Sequence, residues 1–162
     1  RMLIHGNTFH NYPTAVRIEN SSARLRGMVF SNNTQETSGT LMNSSAGIEA
    51  AAIHGHTCQV HQNGTPVIAF NMDNLYISSF TGNTAFGNVG QTRYARLLNT
   101  NAGLGNLIAN NVVQICSSLG GITGAMNNCR ISGNIGTAPS GSQIVNVTGS
   151  NSIAANQDVV YA

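Results

Sequence analysis

Short apolar stretches and Gly/Asn corners alternate along the whole chain at a nearly constant period. Segments of the form apolar–x–small–Asn–Thr begin at a set of apolar anchors, which are Ile4, Phe30, Ile53, Phe80, Ile108, Ile131 and Ile153. Successive anchors are 22 to 28 residues apart. Because self-similarity at a fixed period is typical of repeat architectures, this pattern predicts a solenoid of about seven coils.

A second series of apolar strands runs between the anchors. Each of these strands ends on an asparagine, and the series consists of Asn20, Asn43, Asn71, Asn99, Asn127 and Asn146. A third strand is predicted to lead into each anchor, as in the segment 74–77. Each coil is therefore expected to hold two or three short strands that are closed by Gly/Asn bends.

The corner residues explain how such a coil can close. Gly and Asn tolerate the left-handed backbone region that a sharp corner requires. Stacked coils place equivalent residues above one another, which predicts an internal apolar ladder of anchors and a hydrogen-bonded ladder of Asn amides. Apolar residues do not recur at the helical spacing, so helices are not expected. An antiparallel sandwich is the structural alternative.

Composition narrows the range of functions. Only seven Arg and five acidic residues are charged, which is 7% of the chain, whereas Asn contributes 22 residues and Gly 18. The net charge of +2 supports no nucleic-acid partner, and no apolar run approaches the ~20 residues of a membrane helix, so membrane insertion is not expected. An apolar content of 41% argues against a disordered chain.

The three cysteines, Cys58, Cys116 and Cys129, show no C-x-x-C spacing. They are predicted to be buried free thiols that pack as small apolar side chains, with a Cys116–Cys129 bridge as the alternative. No metal site and no cofactor are expected.

The anchor-corner segments, such as Ile4–Thr8, resemble the turns of right-handed parallel β-helices of the pectate-lyase-like superfamily, and the resemblance covers the whole chain. Within that superfamily, the scarcity of charge and the start at Arg1 are most similar to a segment of a bacteriophage tailspike or tail fibre. The resemblance implies a homotrimeric protein of the virion tail that binds, and often degrades, a bacterial surface polysaccharide. The right-handed coil follows from the resemblance and from the usual crossover preference.

The predicted fold class is therefore all-β: a single-stranded right-handed parallel β-helix with about seven coils of 22–28 residues. We expect one β-helix domain over residues 1–162, as a fragment of a longer chain. The leading hypothesis for function is polysaccharide recognition in a tailspike or tail fibre. The alternatives are a secreted bacterial polysaccharide lyase or hydrolase, acting outside the cell as a monomer, and a purely structural fibre shaft. The sequence leaves open whether this segment is an enzyme.

Candidate catalytic residues come from the few carboxylates, because glycosidases need two carboxylates that flank the scissile bond. Glu49 lies four residues before its anchor and Asp73 seven residues before the next, so the two are predicted to lie on neighbouring coils along one face. His10 and Glu36 each lie six residues after an anchor, and they form a second candidate pair of base and orienting group. Both pairs have a simpler interpretation as surface groups.

Candidate glycan-binding residues are Tyr76, His54 and Arg93. Sugar stacking favours aromatic rings, and the chain has no Trp, so Tyr76 is the predicted stacking residue. A packed or intersubunit Tyr76 is the alternative. His56 occupies the bend position that Asn fills in other coils, and it is predicted to be structural. The lyase pattern is not met, because Lys is absent and no Asp cluster suggests a Ca²⁺ site.

Overall fold

In the computed structural model, the chain coils around one core and forms three parallel β-sheets, A, B and C. The structure describes residues 1–19, 22–36, 39–59, 67–87, 95–114, 119–139 and 143–161. Sheet A contains β1 (Met2–His5), β5 (Met28–Ser31), β8 (Ala52–His54), β11 (Ser79–Thr81), β14 (Leu107–Ala109), β17 (Arg130–Ser132) and β20 (Ser152–Ala154). Sheet B contains β2 (Thr8–His10), β6 (Thr34–Glu36), β9 (Thr57–Gln59), β12 (Thr84–Phe86), β15 (Val112–Gln114), β18 (Ile135–Pro139) and β21 (Gln157–Tyr161).

Sheet C has the longest strands of the three sheets. It contains β3 (Thr14–Ile18), β4 (Arg24–Arg26), β7 (Thr40–Glu49), β10 (Val67–Tyr76), β13 (Ala95–Leu104), β16 (Ile122–Asn127) and β19 (Val145–Thr148). Strands β3 and β4 both pair with β7, so together they form one level of the sheet.

The all-β parallel solenoid predicted from the sequence is confirmed. The predicted count of seven coils is slightly high, because about five coils contain three unbroken strands. In the first coil, the sheet C strand is divided into β3 and β4, and in the last coil strands are described only in sheets A and B.

The part of the chain that the structure describes contains no helix that could span a membrane. The right hand of the coil stays a prediction.

The apolar anchors form one column inside sheet A. The register aligns them coil by coil, in the order Ile4, Phe30, Ile53, Phe80, Ile108, Ile131 and Ile153. The central members are fully buried, whereas Ile153 is 51% exposed at the end of the stack. Side chains from the inner faces of sheets B and C complete the core, among them Ala85, Val113, Leu98 and Phe70. The predicted internal apolar ladder is therefore present.

The corner between sheets A and B is built the same way in every coil. Two residues separate the strands in all seven coils, and the first of the two has a left-handed φ of 51° to 71°. These left-handed residues are Gly6, Asn32, Gly55, Gly82, Asn110, Gly133 and Ala155. The small-residue–Asn signature thus supplies one residue that tolerates the left-handed region and one that forms a ladder.

The second corner residue forms an amide ladder along the solenoid axis, from Asn7 to Asn156. In its central part, the backbone N–H of Asn83 donates to Asn111 Oδ1 at 2.9 Å, and the backbone N–H of Asn111 donates to Asn134 Oδ1 at 3.1 Å. From Asn33 onwards, each Asn Nδ2 of the ladder also donates to a carbonyl of the preceding coil, as from Asn111 to Phe80 at 3.2 Å. The ladder therefore satisfies backbone groups that the corner would otherwise leave buried without a partner.

His56 replaces Asn in this ladder, which confirms its predicted structural role. Its Nδ1 accepts from the backbone N–H of Asn33 at 3.2 Å, and its Nε2 lies 2.8 Å from the carbonyl oxygen of Phe30. This network assigns the proton to Nε2, so the neutral ring reproduces the acceptor and donor of an Asn side chain. Burial against Phe30 and Phe70 lowers the pKa of His56 to about 4.

The corner between sheets C and A carries a second, mixed ladder. Ser78, Asn106, Cys129 and Asn151 follow one another, and each accepts a backbone N–H from the preceding coil. Cys129 is thus a buried free thiol with a structural contact. Cys58 is also buried and free, so the prediction is confirmed for both residues, whereas Cys116 lies outside the described residues.

Two predicted details of sheet C are corrected by the structure. Asn43, Asn71 and Asn99 lie within long strands rather than at strand ends, because each apolar segment continues into the strand that leads to the corner. Asn99 pairs with Thr123, and Asn127 pairs with Leu104, so Asn127 does not extend the Asn series. The cause is the shorter β16, whose register with β13 shifts between Thr100 and Gly103.

Candidate functional site

Sheet C presents the polar outer face on which the candidate site is built. Asn43, Asn71 and Asn99 stand in register on this face, and Thr123 follows them. Asn71 Nδ2 donates to Asn43 Oδ1 at 3.1 Å, and Asn99 Nδ2 donates to Asn71 Oδ1 at 2.9 Å. We call these four residues the outer amide ladder. Asn43, Asn71 and Asn99 are half-buried, whereas Thr123 is buried, so the three amide groups are presented to solvent in a fixed row.

A shallow depression lies at the edge of sheet C where its strands begin. Its volume is about 250 Å³, and Asn43 and Asn71 form part of its lining. The other lining residues come from the neighbouring corner and strand: Pro13, Gly39, Thr40, Val67 and Ile68. The depression therefore combines amide groups with apolar surface, a combination that suits a sugar ring with its hydroxyl groups and its C–H face.

Four residues at the other edge of sheet C form a charged and aromatic group, which we call the Arg–Glu–Tyr cluster: Arg24, Arg26, Glu49 and Tyr76. Arg26, Glu49 and Tyr76 stand in register on successive strands. Glu49 Oε2 accepts from Arg24 Nη1 and from Arg26 Nε, each at 3.2 Å. The Arg24 guanidinium carbon lies 4.4 Å from the centroid of the Tyr76 ring. The cluster is held together by two ion pairs and one cation–π contact.

Hydrogen bonds from Arg24, together with the charges of both arginines, hold the pKa of Glu49 below its usual value, against an opposing effect of desolvation. Glu49 is therefore ionised at neutral pH and already accepts two hydrogen bonds. A general acid needs the opposite, a raised pKa and a proton to donate. The geometry favours a role for Glu49 in positioning the two guanidinium groups, and its predicted catalytic role stays a prediction.

The structure places Asp73, the predicted catalytic partner of Glu49, on the neighbouring strand of the same sheet. Asp73 lies at an irregularity in the register of β10 and precedes Tyr76, the register partner of Glu49, by three residues. At about 3.3 Å per residue, the offset along the strand is about 10 Å, which is well beyond the ~5.5 Å between the carboxylates of a retaining pair and lies at the outer limit of the ~6.5–9.5 Å of an inverting pair. Asp73 Oδ1 instead accepts from Asn101 Nδ2 at 2.9 Å.

The second predicted pair lies on a different face. His10 and Glu36 are register partners on sheet B, and His10 Nδ1 is 3.4 Å from Glu36 Oε2. The predicted contact between the two side chains is therefore present. Both side chains are at least half exposed, at 68% and 50%, so the surroundings do not restrict their orientation. Their proposed catalytic role stays a prediction.

Two of the predicted glycan contacts, Tyr76 and His54, lie on different sheets. Tyr76 lies on the outer face of sheet C, where its hydroxyl donates to Asn74 Oδ1 at 2.9 Å. His54 lies on the outer face of sheet A, between Ser31 and Thr81 in the register. Arg93 lies outside the described residues.

Sequence reasoning did not connect Arg24 and Arg26 with Glu49. The signal was present, because these residues precede Glu49 by 25 and 23 residues, which is one coil. The same one-coil spacing connects Glu49 with Tyr76.

The fold and this outer face define the protein as a parallel β-solenoid with a polar, amide-rich sheet that carries an Arg–Glu–Tyr cluster. Comparison of the chain with family models, with curated proteins and with solved structures finds no match in any of the three.

Proposed function

We propose that the protein recognises bacterial surface polysaccharide through the outer face of sheet C. The observation that carries this proposal is the Arg–Glu–Tyr cluster, which shares the face with the outer amide ladder. Tyr76 offers an aromatic face, while the amides and guanidinium groups offer fixed hydrogen-bond donors and acceptors for sugar hydroxyl groups. Register fixes both groups on rigid strands, which reduces the entropy lost on binding.

The finer part of the proposal is a homotrimeric phage tailspike or tail fibre, located in the virion tail. The resemblance of the corner segments supports it. Sheet A adds support, because Leu3, Val29 and Leu107 occupy one register column of its outer face and are 72%, 37% and 40% exposed. Between them in the column stand the small residues Ala52 and Ser79, and the exposed Arg130 follows Leu107. The part of the column from Leu3 to Leu107 consists of apolar and small side chains, which suit packing against another subunit.

Two alternatives make different predictions. A secreted lyase or hydrolase would bind and cleave polysaccharide as a monomer. Catalysis by the predicted Glu49–Asp73 pair is disfavoured, because Glu49 is ionised and already paired with two arginines. A structural shaft would bind no glycan, and the continuous Asn ladder is the observation in its favour, since it stiffens the coil along its axis.

Replacement of Tyr76 by Ala is expected to weaken polysaccharide binding about tenfold, because the stacking face and the cation–π contact with Arg24 are both lost. The measurement is the dissociation constant for a panel of purified bacterial surface polysaccharides, by biolayer interferometry. Tyr12→Ala is the matched control, since Tyr12 is a 56% exposed tyrosine away from the cluster. Unchanged binding by Tyr76→Ala would remove the Arg–Glu–Tyr cluster from the proposal, and a wild-type chain that binds no polysaccharide would favour the shaft.

Light scattering behind a sizing column tests the trimer. We expect a solution mass of about three times 16.9 kDa, because the apolar column of sheet A would be covered in the assembly. Leu107→Asp should shift the mass towards the monomer, whereas Asn101→Asp, an exposed change on sheet C, should not. A monomeric wild-type chain that still cleaves a polysaccharide would favour the secreted enzyme.

A further inference from the structure

Ile77 adopts a backbone conformation that a β-branched side chain rarely accepts. It follows β10 at the corner between sheets C and A, and its φ of 47° lies in the left-handed region. Other coils place Gly27, Ala50, Gly105 and Asn128 at this corner position. Among the left-handed residues that the structure describes, Ile77 is the only β-branched one. Strain of this kind destabilises the folded state, so another requirement must keep isoleucine at this position.

Packing within the chain does not supply that requirement. The Ile77 side chain is 66% exposed. It extends over the corner of the next coil, where a Cβ added at Gly105 would lie 3.8 Å from Ile77 Cγ1. A buried isoleucine would offset the strain by removing apolar area from water, whereas this side chain leaves most of its area in water.

Two exposed leucines of the next coil extend the apolar surface around Ile77. Leu104 ends β13, and its carbonyl accepts the backbone N–H of Ile77 at 2.8 Å, while Leu107 begins β14. Their side chains are 44% and 40% exposed. We call Ile77, Leu104 and Leu107 the apolar corner patch. Contiguous exposed apolar side chains are typical of an interaction surface, whereas single ones occur on any protein.

Arginines flank the apolar corner patch on both sides. On sheet A, the exposed Arg130 is the register partner of Leu107, and none of the ion pairs that the structure describes includes Arg130. On sheet C, the Arg–Glu–Tyr cluster adjoins the patch, because Tyr76 is the register partner of Leu104. The two arginines of the cluster share one carboxylate, so the cluster keeps a net positive charge. Carboxylates of a ligand would therefore complement both sides of the apolar centre.

We propose that the apolar corner patch is the docking site for an acidic peptide segment of a partner protein. Apolar side chains of the segment pack on the patch, and its carboxylates pair with Arg130 and with the Arg–Glu–Tyr cluster. Docking buries Ile77 and so compensates for its backbone strain. A peptide fits better than an anionic membrane, because the patch is confined to two coils and the exposed polar residues Asn127 and Asn128 border it. The docking site is distinct from the proposed polysaccharide-binding role.

Selection of random short peptides displayed against the full chain tests this docking site. We expect the selected peptides to combine Asp or Glu with Leu, Phe or Trp, and to bind Ile77→Ala about tenfold more weakly than the wild type. Ala50 shows that this corner accepts alanine in the left-handed region. Ile135→Ala is the matched control and should keep the affinity, because Ile135 is a 44% exposed isoleucine on sheet B. Arg130→Gln should weaken binding and reduce its dependence on salt.

Stability measurements separate docking from a structural role of Ile77. Glycine adopts the left-handed conformation without strain, which offsets the extra freedom that it gives the unfolded chain. We therefore expect Ile77→Gly to unfold at a urea concentration equal to or above that of the wild type, while it loses peptide binding. A residue that only packs within the chain would show the reverse, with a lower urea midpoint and unchanged peptide binding.

Several results would overturn the proposal. Leu107 also belongs to the apolar column of sheet A, so the decisive variants are Ile77→Ala and Leu104→Asn. Selected peptides that lack acidic residues, or that bind both variants as tightly as the wild type, would contradict docking at the patch. A solution mass that falls in both variants would assign the patch to a second copy of the chain. Sedimentation with phosphatidylglycerol vesicles that both variants lose, without any selected peptide, would assign it to an anionic membrane.

Discussion

Replacing Asn111 by Ala is expected to lower the free energy of unfolding by about 4 kcal/mol. Asn111 is fully buried, and its side chain takes part in four hydrogen bonds. The substitution leaves the backbone N–H of Asn83 and the carbonyl of Phe80 without these partners inside the protein. Each buried polar group that loses its partner costs about 1–3 kcal/mol, so the losses add to a large effect.

Urea unfolding followed by circular dichroism measures this change. Asn101→Ala is the matched control, because Asn101 is exposed and its described side-chain contact is one hydrogen bond to Asp73. We expect the control to lose less than about 1 kcal/mol. Equal losses in the two variants would show that the Asn ladder follows from the fold without stabilising it.

Acidification is expected to destabilise the protein through His56, which is the second large effect. The pKa of His56 is about 4 in the folded state and about 6.5 in the unfolded chain. The unfolded state therefore binds more protons between these values, so the stabilising contribution is complete above about pH 6.5 and is lost as the pH falls towards 4. Between pH 7.5 and 4.5, the expected loss is about 2.5 kcal/mol.

The physical reason is that burial of the ring between Phe30 and Phe70 disfavours the charged imidazolium. In addition, a proton on Nδ1 would face the backbone N–H of Asn33, which donates to this atom in the neutral ring. His56→Asn is the informative variant, because Asn is the residue of the ladder in other coils and does not titrate. We expect it to be less stable at pH 7.5, owing to the space left between Phe30 and Phe70, but to lose much less stability on acidification. An equally steep pH dependence in both proteins would contradict this assignment. The lowered pKa of Glu49 acts mainly below pH 4.5, outside this window.

The repeat made the coil predictable because every corner between sheets A and B meets the same local requirement. A left-handed residue followed by a ladder residue is a short sequence signal, and it located all seven anchors and the role of His56. The register of sheet C carries no such signal. The strands of sheet C begin after connections of different length. The spacing between Asn residues therefore predicted that Asn127 would stand in register with Asn99, whereas Thr123 occupies that position in the structure.

The candidate site was predictable in part. Counting one coil placed Glu49 and Asp73 on one sheet and His10 beside Glu36. The ion pairs of Glu49 with Arg24 and Arg26 depend on which strand of the divided first coil faces β7, which the spacing of apolar residues did not reveal.

The three corners differ in how much they permit the chain to vary. Two residues connect sheet A to sheet B in every coil, one to three connect sheet C to sheet A, and three to eight connect sheet B to sheet C. Related sequences should therefore accumulate insertions and deletions at the third corner, which borders the depression on sheet C. A peptide inserted at this third corner would lengthen one edge of the coil and leave the register of the ladders at the other two corners unchanged. The protein thus offers a scaffold in which specificity can be diversified at one edge without redesign of the core.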